Sequence, residues 1–69
     1  MQVEFLEVGR DKRTWAEEMV IVTPEAMERS VRNNAALLSR SIDFAFAPDD
    51  SGGDIFVGGF RKVGSFRIT

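Results

Sequence analysis

Apolar and polar positions alternate from the start of the chain. Val3 and Phe5 fall on one side, and Glu4, Leu6 and Val8 on the other. A period of two predicts a strand over residues 3–8. Gly9 to Thr14 is polar and turn-like. Residues 15–22 support two readings. Thr14 with Glu17 makes a capping-box pattern, and Trp15, Met19 and Val22 recur at helical spacing. The β-branched run Val20-Ile21-Val22-Thr23 is stiff at χ1 and favours a strand. We read a strand over 16–22, hairpinned onto the first. Thr23-Pro24-Glu25 then starts a helix. Thr23 can accept an orphan amide N–H, Pro24 suits the first helical position, and Glu25 complements the helix dipole. The helix is expected to reach Leu38. Met27, Val31, Ala35 and Leu38 form its apolar stripe, flanked by Ala26 and Leu37, with Glu25–Arg29 and Glu28–Arg32 as supporting pairs. Ile42, Phe44 and Phe46 alternate with Asp43, Ala45 and Ala47 in a further strand. Residues 48–54 read as a loop, and Ile55-Phe56-Val57 as a strand that ends or bends at Gly58-Gly59. Residues 64–68 form the last strand, hairpinned across Phe60 to Val63.

The element order is therefore ββαβββ. Only the connection that carries the helix is long enough for a crossover. The fold class is α+β: a single domain over residues 1–69, with one antiparallel-dominated sheet of four to five strands and one helix on one face. The helix side is expected to hold Val3, Phe5, Ile42, Phe44, Phe46, Phe66 and Ile68. Leu6, Val8, Phe56 and Val63 are expected on the open side, among Glu4, Asp43, Ala45 and Arg67. Such a face suits a partner.

Length strengthens that expectation. A chain of 69 residues buries only about 60% of its unfolded surface, and one small core rarely supplies more than ~3–5 kcal/mol. Cysteine is absent, which excludes disulfides and thiolate metal sites. Self-association as a homodimer is the expected remedy. The chain shows neither a signal peptide nor a membrane span, so the expected location is the cytoplasm.

The net charge of −2 hides segregation. Residues 42–54 carry Asp43, Asp49, Asp50 and Asp54 and no base, whereas residues 55–69 carry Arg61, Lys62 and Arg67 and no acid. A pI near 5.0 does not favour a duplex-binding protein, which usually shows a dominant basic face.

The chemistry-bearing motifs mostly fail on context. Ile55-Phe56-Val57-Gly58-Gly59-Phe60 resembles the RNP2 strand of RNA-recognition-motif domains. In that family this strand comes first; here nine residues follow Phe60, and the companion RNP1 pattern is missing. What survives is a single-strand platform of Phe56 with Arg61, Lys62 and Arg67. The glycine spacing of residues 59–64 lacks the P-loop lysine. The acidic loop lacks the glycine and glutamate positions of an EF-hand. Histidine, cysteine and tyrosine are absent, so nucleophile–histidine catalysis is excluded. Adjacent Glu17 and Glu18 would point to opposite faces of a strand. So short a chain is not expected to form a large pocket. No enzyme activity and no cofactor are expected.

In size, acidity and element order the chain resembles small phage- and prophage-encoded inhibitors of the anti-CRISPR kind. The resemblance implies a non-enzymatic protein-binding module that blocks a host protein sterically or by charge mimicry, with carboxylates where phosphates would lie. Asp43, Asp49, Asp50 and Asp54 are the candidate mimics, and Leu6, Val8 and Phe56 the candidate apolar contacts. A homo-oligomeric accessory protein and a single-strand nucleic-acid binder are the alternatives.

Overall fold

A computed structural model describes residues 1–35, 37 and 41–69. Its elements are β1 (Gln2–Val8), β2 (Arg13–Glu18), α1 (Pro24–Asn34), β3 (Ile42–Phe46), β4 (Gly52–Val57) and β5 (Arg61–Ile68). The five strands form one sheet in the order β2-β1-β5-β4-β3, and every neighbouring pair is antiparallel. The N-terminal hairpin and the C-terminal meander meet where β1 pairs with β5. The α+β class and the ββαβββ order are as expected. The helix touches both edge strands, β2 and β3. The twisted sheet therefore wraps around α1 and leaves its other face convex and open.

Local chemistry sets the helix ends. The Ala26 amide donates to Thr23 Oγ1 at 3.1 Å, and Pro24 opens the first turn. Glu28 and Arg32 make their i,i+4 pair at 2.9 Å. The helix stops at Asn34, short of the expected end; Leu38 lies outside the described residues. Asn34 Nδ2 donates to the Ser30 carbonyl at 2.8 Å. A short polar side chain that competes for backbone groups disfavours continuation.

The core consists of Val3, Phe5, Val8, Met19, Met27, Val31, Ala35, Ile42, Ile55, Val57 and Phe66. Two expected positions are reversed. Val8 is fully buried rather than on the open face. The β1–β2 register shifts between Phe5 and Val8, and Glu7 has φ 50°. This bulge inserts one residue and returns Val8 to the side of Val3 and Phe5. Val63 likewise packs against the core, beside the β4–β5 register shift between Ile55 and Phe56.

Two expected core aromatics sit at the margin. Phe44 is half-buried, and Phe46 is 37% exposed because β3 ends the sheet. Both rings meet Phe66 edge-on, with centroids at 6.0 and 5.2 Å. Gly53 lies between Phe46 and Phe66 in register. A Cβ there would stand 2.9 Å from Phe66 Cζ and collide with the Ala45 carbonyl. The glycine is thus required by close approach.

The second strand is displaced from 16–22 to Arg13–Glu18. Its partner β1 begins at Gln2, which pairs with Glu18. Backbone bonds between Met1 and Met19 close this pairing, and among the described residues no strand pairs with residues 20–22, so their β-branched preference is not realised. The fourth and fifth strands extend beyond expectation, to start at Gly52 and Arg61. The turn between them is Gly58 to Phe60, with positive φ at both glycines.

Candidate functional site

The convex face is laced with charge. Cross-strand registers place Glu4, Leu6, Asp43, Ala45, Asp54, Phe56, Lys62 and Arg67 on it. Arg67 Nη2 reaches Glu4 Oε1 at 2.8 Å, and Lys62 Nζ reaches Asp54 Oδ1 at 3.1 Å. Of the apolar candidates only Leu6 and Phe56 belong here, and both are half-buried. With Val8 and Val63 turned to the core, this mixed face holds fewer large apolar groups than expected.

The acidic candidates divide. Asp49 and Asp50 sit in the β3–β4 turn and are exposed. Pro48 opens this turn, the Asp50 amide donates to the Ala47 carbonyl at 2.9 Å, and Asp50 takes φ 58°. Aspartate tolerates that left-handed conformation better than most residues. Asp49 Oδ1 accepts from Ser51 Oγ at 2.7 Å and from the Ser51 amide at 3.1 Å. The hydroxyl bond first, and the amide bond second, hold its carboxyl below the ordinary aspartate range. Asp43 and Asp54 instead lie on strands, and Asp54 is neutralised by Lys62. Among the described residues no group of three or more carboxylates could hold a metal ion.

The register defines two ends of the sheet. Pairs Gln2–Glu18, Val3–Ile68 and Gly52–Arg67 gather residues 19–23 and the acidic turn at one end. Here Val20 and Ile21 are 93% and 71% exposed. Met19 beside them turns inward and is buried. Sequence patterning assigned Val20 and Ile21 to a strand and so missed them as surface groups.

Turns Gly9–Lys12 and Gly58–Phe60 lie at the opposite end, and a 2.9 Å bond from the Gly9 amide to the Val63 carbonyl ties the first of them to β5. Between them opens a cleft of about 820 Å³, lined in part by Arg10, Lys12, Arg61 and Lys62. A concavity of this size was not expected from so short a chain. Phe60 precedes the lining residue Arg61 in the chain and is 85% exposed.

One polar network was also not foreseen. Trp15 Nε1 donates to Ser30 Oγ at 2.9 Å, and Ser30 Oγ donates to Glu17 Oε1 at 2.6 Å. It clips edge strand β2 to the helix, while the Trp15 ring stacks on Phe5 at 4.8 Å. The available signal was a serine beside the apolar stripe and an indole that needs an acceptor. Comparison with known proteins adds no constraint: no protein-family model, curated protein or solved structure matches the chain.

Proposed function

We propose that this protein is a non-enzymatic protein-binding module whose contact surface is the end of the sheet bearing Val20, Ile21 and the Asp49–Asp50 turn. The observation that supports this reading is the exposure of two adjacent β-branched residues at 93% and 71%. A small protein gains no stability from apolar side chains left in water, whereas a partner gains by covering them. The acidic turn at the same end supplies long-range attraction to a basic surface. Blocking a host protein by charge mimicry is the narrower form of the proposal, as in the phage inhibitors the chain resembles. It now rests on Asp49 and Asp50, with Asp43 on the convex face, and no longer on Val8 or on the paired Asp54. Among the described residues no helix is long and apolar enough to cross a membrane.

A photo-crosslinking residue in place of Ile21 should give a discrete adduct in the native host, and the same residue in place of Ala45 should not. Smears of equal intensity from both positions would refute the reading. With the partner in hand, Asp49→Asn with Asp50→Asn should slow association at low salt, and the deficit should shrink as salt rises. Unchanged association rates would remove the mimicry.

Homodimerisation is a second reading, supported now by the sheet edge rather than by the convex face. The Ala47 amide donates to the Gly52 carbonyl at 2.7 Å. By antiparallel alternation, the N–H and C=O groups of Ile42, Phe44 and Phe46 then point away from β4. Phe46 is partly exposed on this edge, and two copies could pair there about a two-fold axis. A monomeric mass up to millimolar concentration would refute it.

A further inference from the structure

We propose that the opposite end of the sheet binds single-stranded nucleic acid, with Phe60 stacking on a base and Arg10, Lys12 and Arg61 holding the flanking phosphates. Four observations carry this. Phe60 is 85% exposed on the tip of a turn. The two glycines before it have φ 64° and 84°. A Cβ on either would meet nothing within 4 Å, so the backbone at the tip stands clear of the body. The Gly9–Val63 bond holds the cationic Gly9–Lys12 turn beside the start of β5, which brings Arg10 and Lys12 to the same cleft as Arg61 and Lys62.

The pairing of charges separates this surface from the other aromatic candidate. Phe56 shares the convex face with Lys62 and Arg67, and both of those cations are already engaged by Asp54 and Glu4. Arg10, Lys12 and Arg61 have no ion-pair partner among the described residues. Glu7 and Asp11 also line the cleft, so its charge is moderately positive and the affinity should be modest. Polarity lets such a surface exist on a protein of net charge −2, because the unpaired acids of the β3–β4 turn lie at the far end of the sheet. The cleft is too irregular in charge for a duplex, and an exposed aromatic adds nothing to a stacked helix. An unstacked strand offers it a π-face at every base.

Fluorescence anisotropy with a labelled 12-nucleotide oligothymidylate and the full chain tests this. Binding is expected, with log K falling against log salt at a slope of about −2, as three phosphate contacts require on a single strand. Phe60→Ala should weaken binding about fivefold or more, as loss of one stacked base does, with an unchanged thermal melt. Arg10→Ala with Arg61→Ala should lower the slope to about −0.7. Phe56→Ala should leave affinity within twofold. The proposal is overturned if no binding occurs at 20 mM salt, if duplex of equal length binds as well, or if the loss follows Phe56 rather than Phe60. It is equally overturned if the protein ignores the oligonucleotide yet sediments with vesicles of anionic phospholipid, which would give the Phe60 turn to a membrane surface.

Discussion

Replacing Ser30 by alanine removes both hydrogen bonds that join β2 to the helix. The two losses are unequal. Glu17 is exposed, so its carboxylate exchanges the serine hydroxyl for water at little cost. The Trp15 indole is half-buried against Phe5 and α1, and its N–H loses its acceptor at 2.9 Å. A net hydrogen bond is worth about 1 kcal/mol, and a buried donor left unsatisfied costs ~1–3 kcal/mol. Alanine recovers about 0.5 kcal/mol of helix propensity. Ser30→Ala should therefore destabilise by about 1 kcal/mol, a large share of the ~3–5 kcal/mol expected of so small a core. With a urea m-value near 1 kcal/mol/M for a small protein, the midpoint should fall by about 1 M. Trp15→Phe keeps a ring on Phe5 and deletes only the donor and the larger area. A double-mutant cycle of Trp15→Phe with Ser30→Ala isolates the pair, and its coupling should be about 1 kcal/mol. All four proteins are followed by far-UV circular dichroism, because Trp15 is the chain's single tryptophan. Coupling below about 0.3 kcal/mol would show that solvent replaces the bond and that stacking alone holds β2 to the helix.

Thr23→Ala should cost about 1 kcal/mol in urea unfolding, since it removes the acceptor of the Ala26 amide; a loss of a few tenths would mean that water caps the helix equally well. Phe66→Ala, at a ring 3% exposed, should cost ~3–5 kcal/mol and leave little folded protein. Phe46→Ala, at the sheet edge, should cost about 1 kcal/mol, and equal losses at the two positions would refute the assignment of β3 to the margin. Asp49 should titrate below the ordinary aspartate pKa of about 3.9, so the stabilisation from its Ser51 bonds is present above that pH and is lost as pH falls through the depressed value. Ser51→Ala should move the Asp49 carboxyl-carbon NMR midpoint upward, and an unmoved midpoint would show that the two Ser51 bonds do not persist in solution.

What the sequence determined was local. Thr23, Pro24 and Ala26 lie within one helical turn, so the helix start follows from backbone chemistry alone. The strand at Ile42–Phe46 and the hairpin turn after it are equally legible, because alternation, proline and glycine act over a few residues. The element order follows from these signals, and with it the α+β class. Facing and grouping were decided by tertiary structure. The side-chain period of a strand is two, so one inserted residue at the Glu7 bulge carries Val8 from the open face to the core. Nothing local demands that insertion: it is made possible by Gly64, whose missing Cβ leaves room for Val8 across the sheet. Val20 and Ile21 became surface groups because the pairing of β2 with β1 closes at the backbone bonds between Met1 and Met19, and no described strand lies beside the residues that follow. The four acids read as one cluster along the chain, yet they separate because β4 begins early enough to carry Asp54 into the sheet opposite Ser65, within diagonal reach of Lys62. The basic end arises in the same way: Arg10 and Arg61 are distant in the chain and line one cleft only because β1 pairs with β5. Secondary structure here is a sum of short-range preferences, whereas a binding surface is a property of register, which depends on residues distant in the chain.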